Sequence, residues 1–364
     1  MATHTPAAPP LETARPRPVP QMAFLRRLYT NYTVRRVVQA LLTIWAVITF
    51  TFFLVRMMPG NPVEVYVDFL MNQQNLTYEE AYARAALQFQ FDPDTSPLTQ
   101  YIEYMCNLLR GDIGQSITSS GTQVISQIVR FLPWTVFSVG LGLLISFTLG
   151  AVLGTIMAYK RNTFIDHALS LLSSILSAVP NYIWGLLLLI VFGVQLRWFN
   201  VGELRGTYSP TITPGFTPEF IADVLKHAAL PVFIYVTGSV GGWMLNMRNS
   251  TISTLGEDYV NVARARGLPS SRILLSYVGR NASLPMFTLL AINIGFILGG
   301  SVIIEELFVY KGIGSFLYWS ISQRDYTSMQ GVFLIITVSV VVSNLLADLL
   351  YSRLDPRVRV SGGK

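Results

Sequence analysis

Along the 364 residues, apolar and polar positions separate into long blocks rather than alternating. Six apolar stretches stand out: Val37–Val55, Pro133–Ala158, Ala168–Val194, Ala228–Met247, Leu284–Ile304 and Gly331–Leu350, each 19–27 residues long. A helix rises about 1.5 Å per residue, and the hydrocarbon core of a bilayer is about 30 Å thick. Each stretch is long enough to span as a helix and too long for a strand or an ordinary core helix. Helices also satisfy their own backbone hydrogen bonds, which lipid cannot do. The pattern predicts an all-α integral membrane fold with six transmembrane helices.

The polar blocks set the organisation. Residues 1–21, with Pro9, Pro10, Pro16, Pro18 and Pro20, read as a disordered Pro-rich cytoplasmic tail. Residues 22–132 hold the first transmembrane helix and a long extracytoplasmic loop, and 133–364 a five-helix core with a long polar loop at 248–280. The turn Met58-Pro59-Gly60-Asn61-Pro62 ends the first helix. Residues 77–90 predict a short helix capped by Thr77, with Glu80 as its capping-box partner. Val124, Ile125, Ile128, Val129 and Leu132 recur at helical spacing, which predicts an amphipathic helix on the outer interface ahead of the second span. Residues 196–227, with Pro210, Pro214 and Pro218, read as an irregular loop. The pairs Gly150/Gly154, Gly238/Gly242 and Gly295/Gly299 are spaced for close helix packing. Pro180, Asn181 and Pro231 are expected to kink or locally unwind their spans.

Composition agrees with a membrane bundle. The chain is 51% hydrophobic and 13% charged, against about 25% charged in an average soluble domain. That excludes a disordered protein, a coiled coil and most soluble enzymes. The net charge is +6, which in a soluble protein would raise nucleic-acid binding. Its distribution gives a different reason. The N-terminal tail, Tyr159–Asp166, Arg248–Arg280 and the C-terminal tail carry 17 of the 26 Lys and Arg residues. By the positive-inside rule these segments and both termini are cytoplasmic. Topology accounts for the charge, and no nucleic-acid partner is needed.

Candidate chemistry is sparse. Cys106 is the single cysteine, and His4, His167 and His227 lack ligand spacing, so no metal site is expected. No HExxH, GxSxG, Walker lysine motif or paired CxxC occurs, and no histidine at membrane depth accompanies Ser146, Ser173, Ser177 or Ser301. The chain is not expected to be an enzyme and has no catalytic residue to nominate. An ion-coupled secondary transporter, the main rival from another class, would place a carboxylate at the midplane. Here the spans carry neutral Asn181, Thr237, Ser239 and Asn293, while Glu305 and Glu306 follow the fifth stretch and Asp348 lies near the inner face. Asn181, Thr237, Asn293 and Glu305 are the candidate lining of a translocation path. Energy is expected to come from elsewhere.

The loop 248–280 is the most informative segment. Residues 257–266 have helical character, with Glu257 and Asp258 in the first turn and Arg264 and Arg266 in the last, as the helix dipole favours. Gly267 suits a left-handed C-terminal turn. Pro269-Ser270-Ser271 can begin a second short helix reaching about Arg280. The result is a helix–turn–helix under the membrane.

Asp258 to Leu268 resemble the EAA-type loop in the transmembrane subunit of bacterial ABC importers, specifically the first permease of the oligopeptide/dipeptide group. That group reads Asp/Glu-Tyr-Val-x-x-Ala-Arg-Ala-Lys-Gly-Leu; here Arg266 takes the lysine place and Pro285 follows Gly267 by eighteen residues. The resemblance runs over about residues 30–360. It takes in Leu109-Arg110-Gly111-Asp112-Ile113-Gly114, Ser177-Ala178-Val179-Pro180, Gly299 to Phe308 with Glu305, Gly312-Ile313-Gly314, Arg324-Asp325-Tyr326 and Leu354-Asp355-Pro356-Arg357. Two departures stand out: the general glutamate place of the loop falls on Asn261, and Lys311 stands where the group often has proline.

The resemblance implies a type I importer (MetI-like) permease in the bacterial inner membrane, forming half of a translocation pathway. Implied partners are a second homologous permease, two ATP-binding cassette subunits, an extracytoplasmic substrate-binding protein and the lipid bilayer. ATP and Mg would reside in the ATPases, with no cofactor bound by this chain. The implied solutes are di- or oligopeptides, with oligosaccharides or nickel chelates as alternatives within the family. The implied ATPase-contacting residues are Glu257, Asp258, Tyr259, Asn261, Ala263, Arg264, Ala265, Arg266 and Gly267. Gly267 would set the turn, Ala263 and Ala265 would permit close contact, and Arg264 and Arg266 would reach acidic partner residues.

Overall fold

The computed structural model describes residues 32–57, 62–89, 96–119, 121–297, 299 and 302–354. The tail 1–21, the 58–61 turn and the motif residues 355–357 lie outside them. The described chain is helical, and an isolated bridge pairs Gln115 with Gln123. Its elements are α1 (Tyr32–Arg56), α2 (Pro62–Gln74), α3 (Tyr78–Phe89), α4 (Pro97–Leu109), α5 (Val124–Tyr159), α6 (Phe164–Ala178) and α7 (Asn181–Leu187). A π-helical segment, Leu188–Gln195, continues α7. Then come α8 (Pro218–Leu255), α9 (Asp258–Ala265) and α10 (Ser270–Arg272), and a second π-helical segment, Ile273–Gly279. The chain ends with α11 (Arg280–Ala282), α12 (Leu284–Ile297), α13 (Val302–Leu307), α14 (Ile313–Ser322) and α15 (Tyr326–Leu354).

Among the described residues, four helices are long and apolar enough to cross a membrane singly: Thr33–Val55, Val124–Tyr159, Pro218–Leu255 and Tyr326–Ala347. α6 and Asn181–Gln195 together make a fifth candidate, bent by 95°. The bend has a local cause. Val179 precedes proline and is extended (φ −92°, ψ 124°), because the proline ring disfavours helical geometry in the residue before it. The next helix restarts at once, with Ile183 N–H donating to the Pro180 carbonyl. The expected break at Pro180 is thus observed, whereas α5 and α8 continue through Pro133 and Pro231.

Three expectations are corrected. Leu284–Ile304 is not one continuous helix. α12 has 14 residues, about 21 Å of helix, and Gly299 N–H turns back to the Phe296 carbonyl. Gly299, Gly300 and Ser301 are poor helix formers placed in succession. Residues 124–132 are not a separate interfacial helix but the first turns of α5. That helix has 36 residues, about 54 Å, and so exceeds the hydrocarbon thickness. Val124 and Ile128 are buried, and only Ile125 and Val129 of the apolar set face outward. Lastly, 218–227 is helical. The Thr217 hydroxyl accepts from Phe220 N–H and Pro218 occupies the first turn, both favourable helix starts.

The short helix α3 begins where Thr77 and Glu80 predicted. Thr77 donates its N–H and its hydroxyl to Glu80 Oε2 at 3.2 and 3.0 Å, so half of the capping box forms. The backbone bond from Thr77 is the larger cause holding the Glu80 carboxyl below its usual range.

The centre of the bundle is the packing of α5 on α8. A side chain at Gly142 would meet Tyr235, at Gly150 the Trp243 side chain, and at Gly154 the Met244 carbonyl and Met247. α6 approaches the same helix through Gly241, which faces the Ser173 carbonyl. Gly295 brings α12 against Ser343 of α15, and Ser339 donates to the Gly295 carbonyl at 3.1 Å. Apolar clusters flank this centre. One gathers Tyr66, Leu70, Ala81 and Ala85 of α2–α3 with Val124, Ile128 and Phe316. Another, further along α5 and α8, joins Trp243 and Met247 to Val260, Ala263 and Ile273.

Gly154→Val should therefore destabilise the chain by about 1–3 kcal/mol through overpacking. Gly242→Ala, with open space around it, should not. Thermal unfolding of the detergent-solubilised protein, followed by tryptophan fluorescence, separates the two.

Candidate coupling loop and translocation residues

The predicted helix–turn–helix is present. α9 spans Asp258–Ala265, and its C-terminal end is a complete Schellman turn. Gly267 N–H donates to the Arg264 carbonyl at 2.9 Å, and Leu268 N–H to the Ala263 carbonyl at 3.3 Å. Gly267 has φ +72°, the left-handed region, and no atom lies within 4 Å of a side chain built there. The glycine is required by backbone geometry, not by crowding. Leu268 completes the motif by packing on the cluster that contains Ala263.

The two faces of α9 differ. Val260 and Ala263, three residues apart, are buried in the cluster beneath. The expectation that Ala263 offers a partner contact is therefore corrected: its methyl is consumed by the chain's own core, only 2% exposed. Glu257, Asp258, Tyr259, Asn261, Arg264, Ala265, Arg266 and Gly267 are exposed. The sequence reading missed Val262, 52% exposed, and Leu275 of the second π-helical segment, 74% exposed. Tyr259 and Val262 share a face with Ala265 and Arg266 by helical spacing. An apolar residue at i+3 from the loop tyrosine was the signal available for Val262.

This unit is fastened to the bundle. Ser250 Oγ donates to the Ala282 carbonyl at 2.8 Å. Asn281 Nδ2 donates to Tyr259 Oη at 2.9 Å and to the Tyr277 carbonyl at 3.0 Å. Only Gly256 and Glu257 separate α8 from α9, so the long helix and the exposed short one are directly joined.

The four translocation candidates do not form one site. Asn181 packs its amide on Gly238, next to Thr237, whose hydroxyl donates to the Ile234 carbonyl. Asn293 is exposed on α12, bonded to its own Leu289 carbonyl at 2.8 Å. Glu305 is corrected: it is 0% exposed and lines no open path on this chain. Thr135 Oγ1 donates to its Oε1 at 2.8 Å, and Ser315 N–H to its Oε2 at 3.0 Å. Ile313 N–H in turn donates to Thr135 Oγ1 at 2.7 Å. A side chain at Gly312 would collide with the carboxylate, and one at Gly314 with the Val302 backbone beside it. These glycines make room for a buried acid held by neutral donors.

A second buried acid joins two of the quoted motifs. Asp325 is 0% exposed and accepts from Ser116 Oγ, from Thr118 Oγ1 at 3.0 Å and from Ser328 N–H at 3.0 Å. Gly114 (φ +96°) lies against Thr327. The segment Leu109–Gly114 and its hairpin-like continuation are thereby pinned to the start of α15, over more than two hundred residues of sequence.

The family model described as "Binding-protein-dependent transport system inner membrane component" matches residues 150–360. The chain is 31% identical to the oligopeptide transport system permease protein AppB of Bacillus subtilis over 327 residues, 90% of this chain and 98% of AppB. It is 31% identical to the di/tripeptide transport system permease protein DppB of Pseudomonas aeruginosa over 342 residues, 90% and 98% of the two chains. The DppB of Haemophilus influenzae is 30% identical over 338 residues, 90% of this chain and 99% of that one.

Replacing Asp325 by Ala leaves Ser116 and Thr118 without their acceptor. Loss of the buried bonds should cost about 1–3 kcal/mol and loosen residues 112–122. Faster amide exchange in that segment, with α9 unchanged, is the expected result; unchanged exchange would show that the carboxylate does not hold the loop.

Proposed function

The chain belongs to the family of binding-protein-dependent transport system inner membrane components, and on that premise we propose that it forms half of an ATP-driven import pathway for di- or oligopeptides. The transport names of the AppB and DppB relatives support the peptide class. A second permease would complete the pathway. Two ATPases, carrying the ATP and Mg, would bind below, and a substrate-binding protein would deliver the solute.

In this reading the chain crosses six times with both termini in the cytoplasm. α6 and Asn181–Gln195 count as one bent crossing, and the stretch that holds α12 and α13 as the fifth. The basic segments then fall on one side, as the positive-inside rule asks. The α2–α3 pair and the loop pinned by Asp325 lie on the side of the incoming binding protein.

The observation that carries the proposal is α9. A short polar helix closed by a Schellman turn exposes Tyr259 and Val262, flanked by Asp258, Arg264 and Arg266. In an ATPase groove, those apolar groups would be buried and the flanking charges would orient the contact. Closure of the ATPases would then displace α9, and α8 would carry the movement into the bundle.

Two measurements test this. A tagged chain drawn from its native membranes in mild detergent should bring down a second permease and ATPase subunits. A lone chain that transports peptide without ATP would overturn the proposal. Gly267→Val forces a β-branched residue into left-handed geometry, costing about 1–2 kcal/mol. It should weaken ATPase recovery and peptide-stimulated hydrolysis while the bundle remains folded; unchanged recovery and hydrolysis would remove α9 from the coupling role.

A further inference from the structure

We infer that the Arg248–Asp166 ion pair is a positioning device that carries movement of the coupling loop into the bent crossing α6–α7. The inference rests on the importer reading above and deepens it.

The pair is built with care. Arg248 Nε donates to Asp166 Oδ1 at 2.6 Å and its Nη2 to Oδ2 at 2.8 Å. This two-point fork fixes direction as well as distance. The Asp166 side chain is 1% exposed and that of Arg248 22%. Asp166 Oδ2 also accepts from Asn162 N–H at 3.0 Å, and Asn162 holds a left-handed φ of 62°. A single carboxylate thus binds the turn that follows α5, the first turn of α6 and the cytoplasmic part of α8.

A simple topology signal gives no reason for such an arrangement. An arginine placed for orientation or lipid headgroups keeps its guanidinium in water or at the interface. Here two guanidinium nitrogens are committed to one buried acid. Burying a pair gives little net stability, but it fixes geometry.

The position of the pair gives that geometry a use. Arg248 lies seven residues before the end of α8 at Leu255, and α9 begins at Asp258. Further along α6 and α7 the same α8 is approached by way of its glycines, with Gly241 against the Ser173 carbonyl and Gly238 against Asn181. Those contacts are glycine approaches that set spacing without direction. Ser173 Oγ also donates weakly to Met244 Sδ at 3.4 Å, but the ion pair is the charged, two-point contact, and it sits nearer the coupling loop. A shift of α8 near Leu255 is therefore handed to α6, whose far end turns at Pro180.

The test uses the assembled complex in proteoliposomes with its binding protein and labelled alanyl-alanine. Arg248→Lys keeps the charge and removes the fork. It should assemble normally, retain basal ATP hydrolysis and lose about tenfold in uptake per ATP hydrolysed, the scale of a coupling free energy between sites. In the wild-type complex, trapping the ATP-bound state should change amide exchange over residues 160–170, and Arg248→Lys should abolish that change. Asp166→Asn, which keeps the side-chain shape, is the second variant if the first does not assemble. Wild-type uptake per ATP in either recovered variant overturns the inference. Failure of both to assemble assigns the pair to folding and overturns it as well. A wild-type complex without ATP-dependent uptake is a distinct result, which refutes the importer reading itself.

Discussion

The close approach of α5 and α8 is the constraint from which the rest of the structure follows. In lipid there is no hydrophobic gain in bringing two apolar helices together, so van der Waals fit must hold them. Gly142, Gly150 and Gly154 supply that fit by letting Tyr235, Trp243 and Met247 rest on the opposite backbone. Both helices are longer than a bilayer is thick. The same rigid contact that forms the membrane core therefore extends beyond it, towards α2–α3 at one end of α5 and towards α9 at the far end of α8. α8 runs as one helix from Pro218 to Leu255, and only two residues separate its end from α9.

Much of this was legible in residues. Long apolar runs gave α1, α5, α8 and α15, because length against bilayer thickness is a coarse quantity that propensity seldom overrides. The break at Pro180 was legible because proline acts on its own backbone and on the residue before it. The helix and its closing turn at 258–267 were legible, since acidic start, basic end and Gly267 are local signals with local causes.

What escaped was decided by tertiary contact. Hydropathy counts apolar residues and does not see where a helix stops, so Leu284–Ile304 read as one span although α12 ends at Ile297. Periodicity marked Val124–Leu132 as amphipathic, correctly, but could not tell an interfacial helix from the overhanging end of a longer one. The faces of α9 depended on what lay beneath it: Ala263 and Ala265 are the same residue type two positions apart, yet one is core and the other surface. Arg248 carried no local mark at all. It counted as one basic residue among those that orient the chain, and its partner lies 82 positions away.

The buried acids show how charge and chemistry part company here. A search for function in a membrane protein looks for carboxylates at depth, because a buried charge is costly and is kept for a reason. Glu305 and Asp325 are both fully buried, and neither has a cationic partner among the described residues. Each is instead surrounded by hydroxyls and backbone N–H groups, from Thr135 and Ser315 in one case and from Ser116, Thr118 and Ser328 in the other. Neutral donors satisfy an acid's acceptors without adding charge, so these sites lock one segment to another. Gly312 and Gly314 serve the first lock by leaving its carboxylate room. Asp166, by contrast, is paired with a guanidinium on a different helix. That is the arrangement in which two charged arms can be moved as one. The distinction between an acid enclosed by neutral donors and an acid bridged to a cation on another element thus separates two kinds of buried carboxylate in this molecule.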